Sequence, residues 1–115
     1  MTTMTTHQFE INVATQFTRT PGPRKKSEGE FSGEEFLENI LLPKFLEAQK
    51  ARCALHVNLD GAIGYPTSFL EEAFGGLART CGIEEVKLGL VVTCSDAPYI
   101  LERVQRYILN ANKIK

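Results

Sequence analysis

Short strand-like segments alternate with longer helix-like segments along this chain, and this order constrains the fold more than any other feature. Apolar and polar side chains alternate in residues 8–14 and 55–60, as in a strand with one buried face. Residues 86–92 are largely apolar, as in a strand buried on both faces. Apolar side chains recur at helical spacing in residues 32–45, 69–80 and 97–110. Strands separated by helices imply parallel crossovers. We therefore predict an α/β fold, a mixed β-sheet with three or four helices packed on it.

Local signals place the ends of several elements. Ser32 and Glu35 form a capping box that begins the first long helix. Pro43 interrupts this helix, so we expect a kink there or a second short helix starting at Pro43. Gly82 is expected to end the next helix in a left-handed conformation. Residues 30–31 are expected to complete a short edge strand beside the first strand.

Length and composition limit the possible functions. The 115 residues suit a single domain, which we assign to residues 7–115 after a disordered N-terminus at residues 1–6. A net charge of −1 gives no support for nucleic-acid binding. Three cysteines at long spacings predict no disulfide framework and no metal site. No signal peptide and no membrane-spanning stretch is evident, so we expect a cytoplasmic protein with no membrane partner.

The turn after the second strand is the first candidate site. Ligands and partners usually bind at this edge of an α/β sheet, where residues 60–66 include Asp60, Gly61, Gly64 and Tyr65. Thr67 and Ser68 follow at the start of a helix, where exposed amides stabilise an anion or a phosphate on either hydroxyl. The alternative is that Ser68 caps its own helix in a box with Glu71.

The helix that follows this turn offers a candidate partner-binding surface. Glu71 and Glu72 point about 100° apart, so they suit a solvated docking face better than acid–base catalysis. Two glycines inside a helix cost about 1 kcal/mol each and indicate close approach of another backbone, from this chain or from a partner. With the turn residues, the predicted surface consists of Asp60, Gly61, Gly64, Tyr65, Phe69, Glu71, Glu72, Gly75, Gly76 and Arg79.

A basic loop is the second candidate site. Residues 18–29 contain two prolines flanking a glycine and four cations, Arg19, Arg24, Lys25 and Lys26. Arg19 and Arg24 are candidates for holding an anion, whereas a solvated loop with no ligand is the alternative. Cys94, beside Asp96 at the end of the third strand, is either a thiol facing a ligand or an inert buried one.

Two segments of the chain resemble bacterial STAS-like domains of unknown function. The first contains Val57-Asn58-Leu59-Asp60-Gly61, Gly64-Tyr65 and the run Thr67-Ser68-Phe69-Leu70-Glu71-Glu72-Ala73-Phe74-Gly75-Gly76-Leu77. The second contains Arg19-Thr20-Pro21-Gly22, Arg24, Ser32-Gly33-Glu34 and Phe36. The resemblance covers about residues 15–80 and implies a fold similar to that of anti-sigma-factor antagonists.

The resemblance also implies a function. Anti-sigma-factor antagonists act by partner switching, and a kinase-like ATPase phosphorylates a serine at the start of the helix after the central strand. Ser68 occupies the corresponding place and Thr67 is adjacent, so a histidine-kinase-type ATPase is the implied partner. Phe69 stands where the antagonists carry a small residue, which distinguishes this chain from them.

Three functions follow as hypotheses. The first is a non-catalytic regulatory module that binds a protein partner and needs no cofactor. The second is a small enzyme or nucleotide-binding protein that holds phosphate with Arg19, Arg24 and the Thr67–Ser68 helix start. The third is a homodimer formed by pairing of the edge strand at residues 8–14.

Overall fold

The computed structural model describes residues 9–112 as an α/β fold. Its elements, in chain order, are β1 (Glu10–Asn12), α1 (Val13–Gln16), a 3₁₀ turn (Lys26–Glu28), α2 (Gly33–Phe36, Leu37–Leu41 and Leu42–Lys50), β2 (Leu55–Asn58), α3 (Thr67–Leu70, Glu71–Gly75 and Gly76–Cys81), α4 (Ile83–Gly89), β3 (Leu90–Thr93) and α5 (Tyr99–Leu109). The predicted disorder of residues 1–6 and the predicted domain start at residue 7 lie outside the described residues.

The three strands form one sheet in the order β1-β2-β3. Both pairs are parallel, and the register places Ile11 beside Val57 and Val57 beside Val92. The α/β class is therefore confirmed, but the described sheet is parallel where a mixed sheet was predicted. The predicted edge strand at residues 30–31 is absent from the described residues, because Phe31 has a φ of 56° and cannot continue an extended strand.

Helix α2 begins as its sequence requires. The Ser32 hydroxyl accepts a hydrogen bond from the Glu35 amide at 3.0 Å, which confirms the predicted cap. The helix then passes through a π-helical segment at Leu37–Leu41 and continues without a break to Lys50. Pro43 is the second residue after this wider segment. The π-helical segment thus accommodates the proline, which lacks an N–H donor, where a kink or a new helix was expected.

The third strand begins later than predicted. Residues 83–89 form α4, and only Leu90–Thr93 is extended. Gly82 has the expected positive φ, 104°, but it also leads directly into α4, whose first turn carries Glu84 and Glu85. Acidic residues near the N-terminus of a helix are favourable, and an apolar run alone does not distinguish a buried strand from a buried helix.

The core lies on one face of the sheet. Ile11, Leu55 and Val57 are buried on this face, whereas the alternate residues of each strand are half-buried or exposed. A group of aromatic rings joins the core to the start of α3, because Phe69 stacks on Phe36 at a centroid distance of 5.8 Å. The ring centroid of Phe17 lies 5.3 Å from that of Phe36, so the segment after α1 contributes to the same group of aromatic rings.

Two further features bear on the sequence predictions. Cys53, Cys81 and Cys94 are free thiols, as expected from their spacing. Within residues 9–112, no helix combines the length and the apolar composition that a membrane span requires.

Candidate functional site

The turns that follow β2 and β3 are tied together by two aspartates. The Asp96 amide donates to Asp60 Oδ1 at 2.8 Å, and the Gly61 amide donates to Asp96 Oδ2 at 3.1 Å. The hydrogen bond from the Asp96 backbone is the main reason that the pKa of Asp60 is lowered. Gly61 has a φ of 95°, so this glycine supplies the positive φ that the turn needs, and Gly64 does not. The turn is therefore a fixed structure at the carboxyl edge of the sheet.

Tyr65 anchors the same turn to the core. Its hydroxyl donates to the Leu59 carbonyl at 2.9 Å, and its ring lies 6.0 Å from the Phe69 ring. Burial raises the pKa of Tyr65 well above its usual range, so the hydroxyl stays protonated. Tyr65 is half-buried and positions the turn.

The first turn of α3 displays the two candidate hydroxyls. Thr67 is exposed and Ser68 is half-buried. The N-cap residue of α3 is Pro66, and no side chain caps the helix. The predicted capping box of Ser68 with Glu71 is therefore wrong, because Ser68 lies inside the first turn and not at the cap position. Phe69, predicted to contact a partner, is fully buried in the core.

Glu71 and Glu72 bind the basic loop to α3. Arg24 Nη1 forms an ion pair with Glu71 and a second one with Glu72 at 3.3 Å. Lys25 Nζ also reaches Glu72 at 3.3 Å, and Arg79 Nη1 reaches Glu71 at 2.8 Å. The five charged side chains form one network, which we call the loop–helix ion network. It holds the loop against the outer face of α3.

This network shifts the ionisation of its members. Burial of Glu71 acts to raise the pKa of its carboxyl, but hydrogen bonds from Arg79 and Arg24 outweigh burial and lower the pKa to about 2. The hydrogen bond to Glu71 in turn raises the pKa of Arg24. Both groups are therefore charged at neutral pH, and neither is poised to exchange a proton near pH 7.

The paired glycines serve contacts within this chain. A Cβ atom on Gly76 would lie 2.7 Å from Leu37 Cδ2 of helix α2. A Cβ atom on Gly75 would lie 2.8 Å from Glu71 Oε2 and 3.3 Å from Arg79 Nη1. Both glycines are buried. Gly76 lets α2 pack closely against α3, and Gly75 leaves room for the ion pair between Glu71 and Arg79, which both lie on α3. The predicted close approach of another backbone is therefore wrong for these two glycines, because the atoms that a Cβ would meet belong to side chains of this chain.

The two predicted anion-binding arginines have different surroundings. Arg19 is exposed, and its Nε donates to the Gly61 carbonyl at 3.4 Å. Arg24 is held by Glu71 and Glu72, and the neighbouring Lys26 pairs with Glu38 at 2.6 Å. An anion at Arg24 would have to compete with two carboxylates. The structure thus brings Arg19 to the turn and Arg24 to the outer face of α3.

Residues 32–99, more than half of the chain, match the model of the STAS-like domain of unknown function (DUF4325). The chain belongs to this family. The STAS-like match confirms the resemblance, and the basic loop lies before the matched residues. No curated protein and no solved structure matched the chain.

Within the part of the STAS-like chain that the structure describes, one cluster resembles a metal-ligand set. The side-chain ligand atoms of Asp60, Cys94 and Asp96 all lie within 4.8 Å of one another. The aspartates already accept the two amides described above, and Cys94 Sγ donates to Asp96 Oδ1 at 3.5 Å. Burial raises the pKa of the Cys94 thiol to about 11, so it is protonated and not a thiolate. The cluster links the turn after β2 to the turn after β3 by hydrogen bonds, and we assign no ion to it.

A groove beside the turn contains site residues that sequence reasoning missed. It has a volume of about 450 Å³ and lies between the 62–65 segment and the start of α5, with Tyr99, Ile100 and Arg103 on its far wall. Ile63 is 79% exposed and Tyr99 is 63% exposed. The Arg103 guanidinium lies 5.7 Å from the centre of the Tyr99 ring. Only the pairing of β3 with β2 brings α5 to this place, so the local sequence gave no signal for it.

Proposed function

We propose that this STAS-like chain is a non-catalytic regulatory module that binds a protein partner through the turn at residues 61–68 and the adjoining groove. The observation that carries the proposal is the first turn of α3, where Thr67 is exposed and Ser68 is half-buried without capping the helix. Exposed Ile63 and Tyr99 add apolar area in the adjoining groove, and exposed aromatic residues are typical of protein interfaces.

The proposal includes control by phosphorylation of Ser68 or Thr67. A phosphate there would lie at the positive end of α3, which stabilises negative charge. On Ser68 it would also precede Glu71 and Glu72 by three and four residues on the same helix face. The phosphate would repel these carboxylates and compete with them for Arg24 and Lys25. The loop–helix ion network would rearrange, and the partner surface would change with it.

The proposed partner is a histidine-kinase-type ATPase, and the proposed location is the cytoplasm, where free thiols remain reduced. The experiment is a pull-down from the native host with the affinity-tagged chain, followed by mass spectrometry of the retained proteins and of the chain itself. We expect a retained ATPase and a phosphate on Ser68 or Thr67. Retention of no partner by the wild-type chain would contradict the proposal of a binding module.

The switch is tested by Ser68→Glu, with Ser68→Ala as the matched control. We expect Ser68→Glu to weaken capture of the partner about tenfold or more, because its charge imitates part of a phosphate. Ser68→Ala should bind as the wild type does but carry no phosphate at this residue. An acidic residue in the first turn is favourable for a helix, so both variants should keep the circular dichroism spectrum of the wild type. Equal binding by all three proteins would remove the switch.

A further inference from the structure

The outer edge of β3 is open. β3 lies at the end of the sheet, and within residues 9–112 β2 is its only partner strand. Its sequence, Leu90-Val91-Val92-Thr93, contains no charge and no proline, and Val91 is 40% exposed. Soluble proteins usually protect such an edge with charges, prolines or covering elements. β1, at the other end of the sheet, has only three residues and carries an exposed Glu10. It is therefore a poorer edge for pairing with a second copy, which was predicted for residues 8–14.

The direction of the backbone groups identifies the centre of this edge. The Thr93 carbonyl accepts from the Leu59 amide at 2.8 Å, so the backbone of Thr93 faces β2. Backbone groups of successive residues in a strand point to opposite sides, so Val92 presents its N–H and C=O outward. The Leu90 amide donates to the Val86 carbonyl at the end of α4. Val92 is therefore the residue through which a further strand would pair.

An apolar groove runs beside the open edge. It has a volume of about 390 Å³ and lies between α4, β3 and α5. On α5, Leu101, Gln105 and Leu109 line it at intervals of four residues, so they occupy one helix face. Leu109 is 52% exposed, and Leu88 at the end of α4 is 81% exposed. Val92 belongs both to the edge and to the lining of the groove, so the edge and the groove adjoin, and we call them together the β3 patch.

We infer that the β3 patch is the interface of a two-fold homodimer. Antiparallel pairing of β3 with the β3 of a second copy would let Val92 exchange both of its outward hydrogen bonds with the partner's Val92. The same axis places the two α5 helices side by side and antiparallel. Leu101 then faces the partner's Leu109, and Gln105 faces the partner's Gln105, where an amide can both donate and accept.

A second copy suits this patch because the patch is complementary to itself. Leu101 and Leu109 flank Gln105 at equal spacing, so two antiparallel α5 helices centred on Gln105 bring leucine against leucine. An isologous interface also closes after two copies, so the β3 edge is not left open to extend into a fibre. Lys87, which lines the groove, pairs its amino group with Glu84 at 3.8 Å. The inference does not depend on the proposed function, because the β3 patch is separate from the 61–68 turn.

The experiment is sedimentation equilibrium across a dilution series, with charge variants at Gln105. We expect the wild type to reach twice the chain mass of 12.8 kDa at high concentration. Gln105→Glu and Gln105→Lys each place like charges against each other at the axis, so each should raise the dimer Kd about tenfold or more. An equimolar mixture of the two variants should dimerise again at low salt and less so at high salt.

Controls make the outcome decisive. Gln105 is exposed on α5, so both variants should keep the wild-type circular dichroism spectrum. Leu46→Lys changes an exposed apolar residue of α2, outside the β3 patch and outside the proposed partner surface, and should leave the dimer intact. A wild type that stays at 12.8 kDa at every concentration overturns the inference. Variants that dimerise like the wild type, or a mixture that stays monomeric, also overturn it, because residue 105 would then not lie on the axis.

Discussion

Glu71 is the residue on which the outer face of α3 depends. One of its oxygens pairs with Arg24 and the other with Arg79, so a single carboxylate joins the basic loop to the helix. Its side chain is only 18% exposed, so water and salt screen these ion pairs less than they screen a fully solvated pair. Gly75 leaves the space that this arrangement needs. The loop position is therefore a consequence of side-chain charge as well as of backbone geometry.

Glu71 should make stability dependent on pH. Its pKa is lowered from 4.5 to about 2, so the unfolded chain binds more protons than the folded chain between these values. The stabilisation is complete above pH 4.5 and is lost as the pH falls toward 2. We expect Glu71→Gln to lower the free energy of unfolding by about 1–2 kcal/mol at pH 7, and by much less near pH 2. Urea denaturation at a series of pH values measures this difference.

The control for this prediction is Glu102→Gln. Glu102 is exposed on α5, outside the loop–helix ion network, so its removal should change the free energy of unfolding by less than about 0.5 kcal/mol at any pH. A Glu71→Gln variant whose deficit stays constant from pH 7 to pH 2 would show that the ion pairs do not stabilise the fold.

The first turns of helices α2 and α3 are in close contact. A Cβ atom on Gly33 would lie 2.6 Å from the Phe69 carbonyl oxygen and 3.1 Å from Phe69 Cα. These neighbours are backbone atoms, which cannot move aside as the end of a side chain can. The contact sets the spacing between the helix that begins at the Ser32 cap and the helix that displays Ser68.

Gly33→Ala should therefore destabilise the domain, although alanine favours helices. We expect the free energy of unfolding to fall by about 1–3 kcal/mol, because the first turns must separate. Gly64→Ala is the matched control, since a Cβ atom there would have no heavy atom within 4 Å. Thermal denaturation of the two variants measures the difference. Equal melting temperatures would mean that the two helices adjust to the extra methyl group without cost.

At the scale of the whole molecule, the aromatic group around Phe69 connects parts of the chain that are far apart in sequence. Phe36 of α2, Phe17 after α1 and Tyr65 of the turn all lie within 6.3 Å of Phe69 by ring centroid. The candidate site therefore stands directly on the core. Stability and site geometry are coupled through this one side chain.

Truncation of Phe69 should remove much of the stability of the fold. Phe69→Ala is expected to cost about 3–5 kcal/mol, against a total of about 5–15 kcal/mol for a domain of this size. Phe69→Leu should cost less, and Tyr99→Ala, at an exposed aromatic residue, should cost less than about 0.5 kcal/mol. Chemical denaturation measures all three. A small effect of Phe69→Ala would contradict its place in the core.

The elements that were predicted well are those whose cause is local. The Ser32 cap, the positive φ of Gly82 and the alternation in β2 depend on residues within about four positions of one another. The elements that were predicted poorly depend on competition between local signals. Residues 86–89 belong to a largely apolar run that predicts a strand, but Gly82 and the acidic first turn begin a helix that includes them. Pro43 stays inside α2 because the preceding π-helical segment accommodates it.

The sequence by itself determined the α/β class, the central strand, the hydroxyl pair at the start of α3 and the family. Only the tertiary structure decided which of the predicted surface residues face solvent, since Phe69, Gly75 and Gly76 are buried. It also decided the partners of the charged groups. Arg24 and Glu71 are 47 residues apart, and Asp60 and Asp96 are 36 apart. Such contacts form only when the sheet brings distant turns together, and no local pattern of residues encodes that proximity.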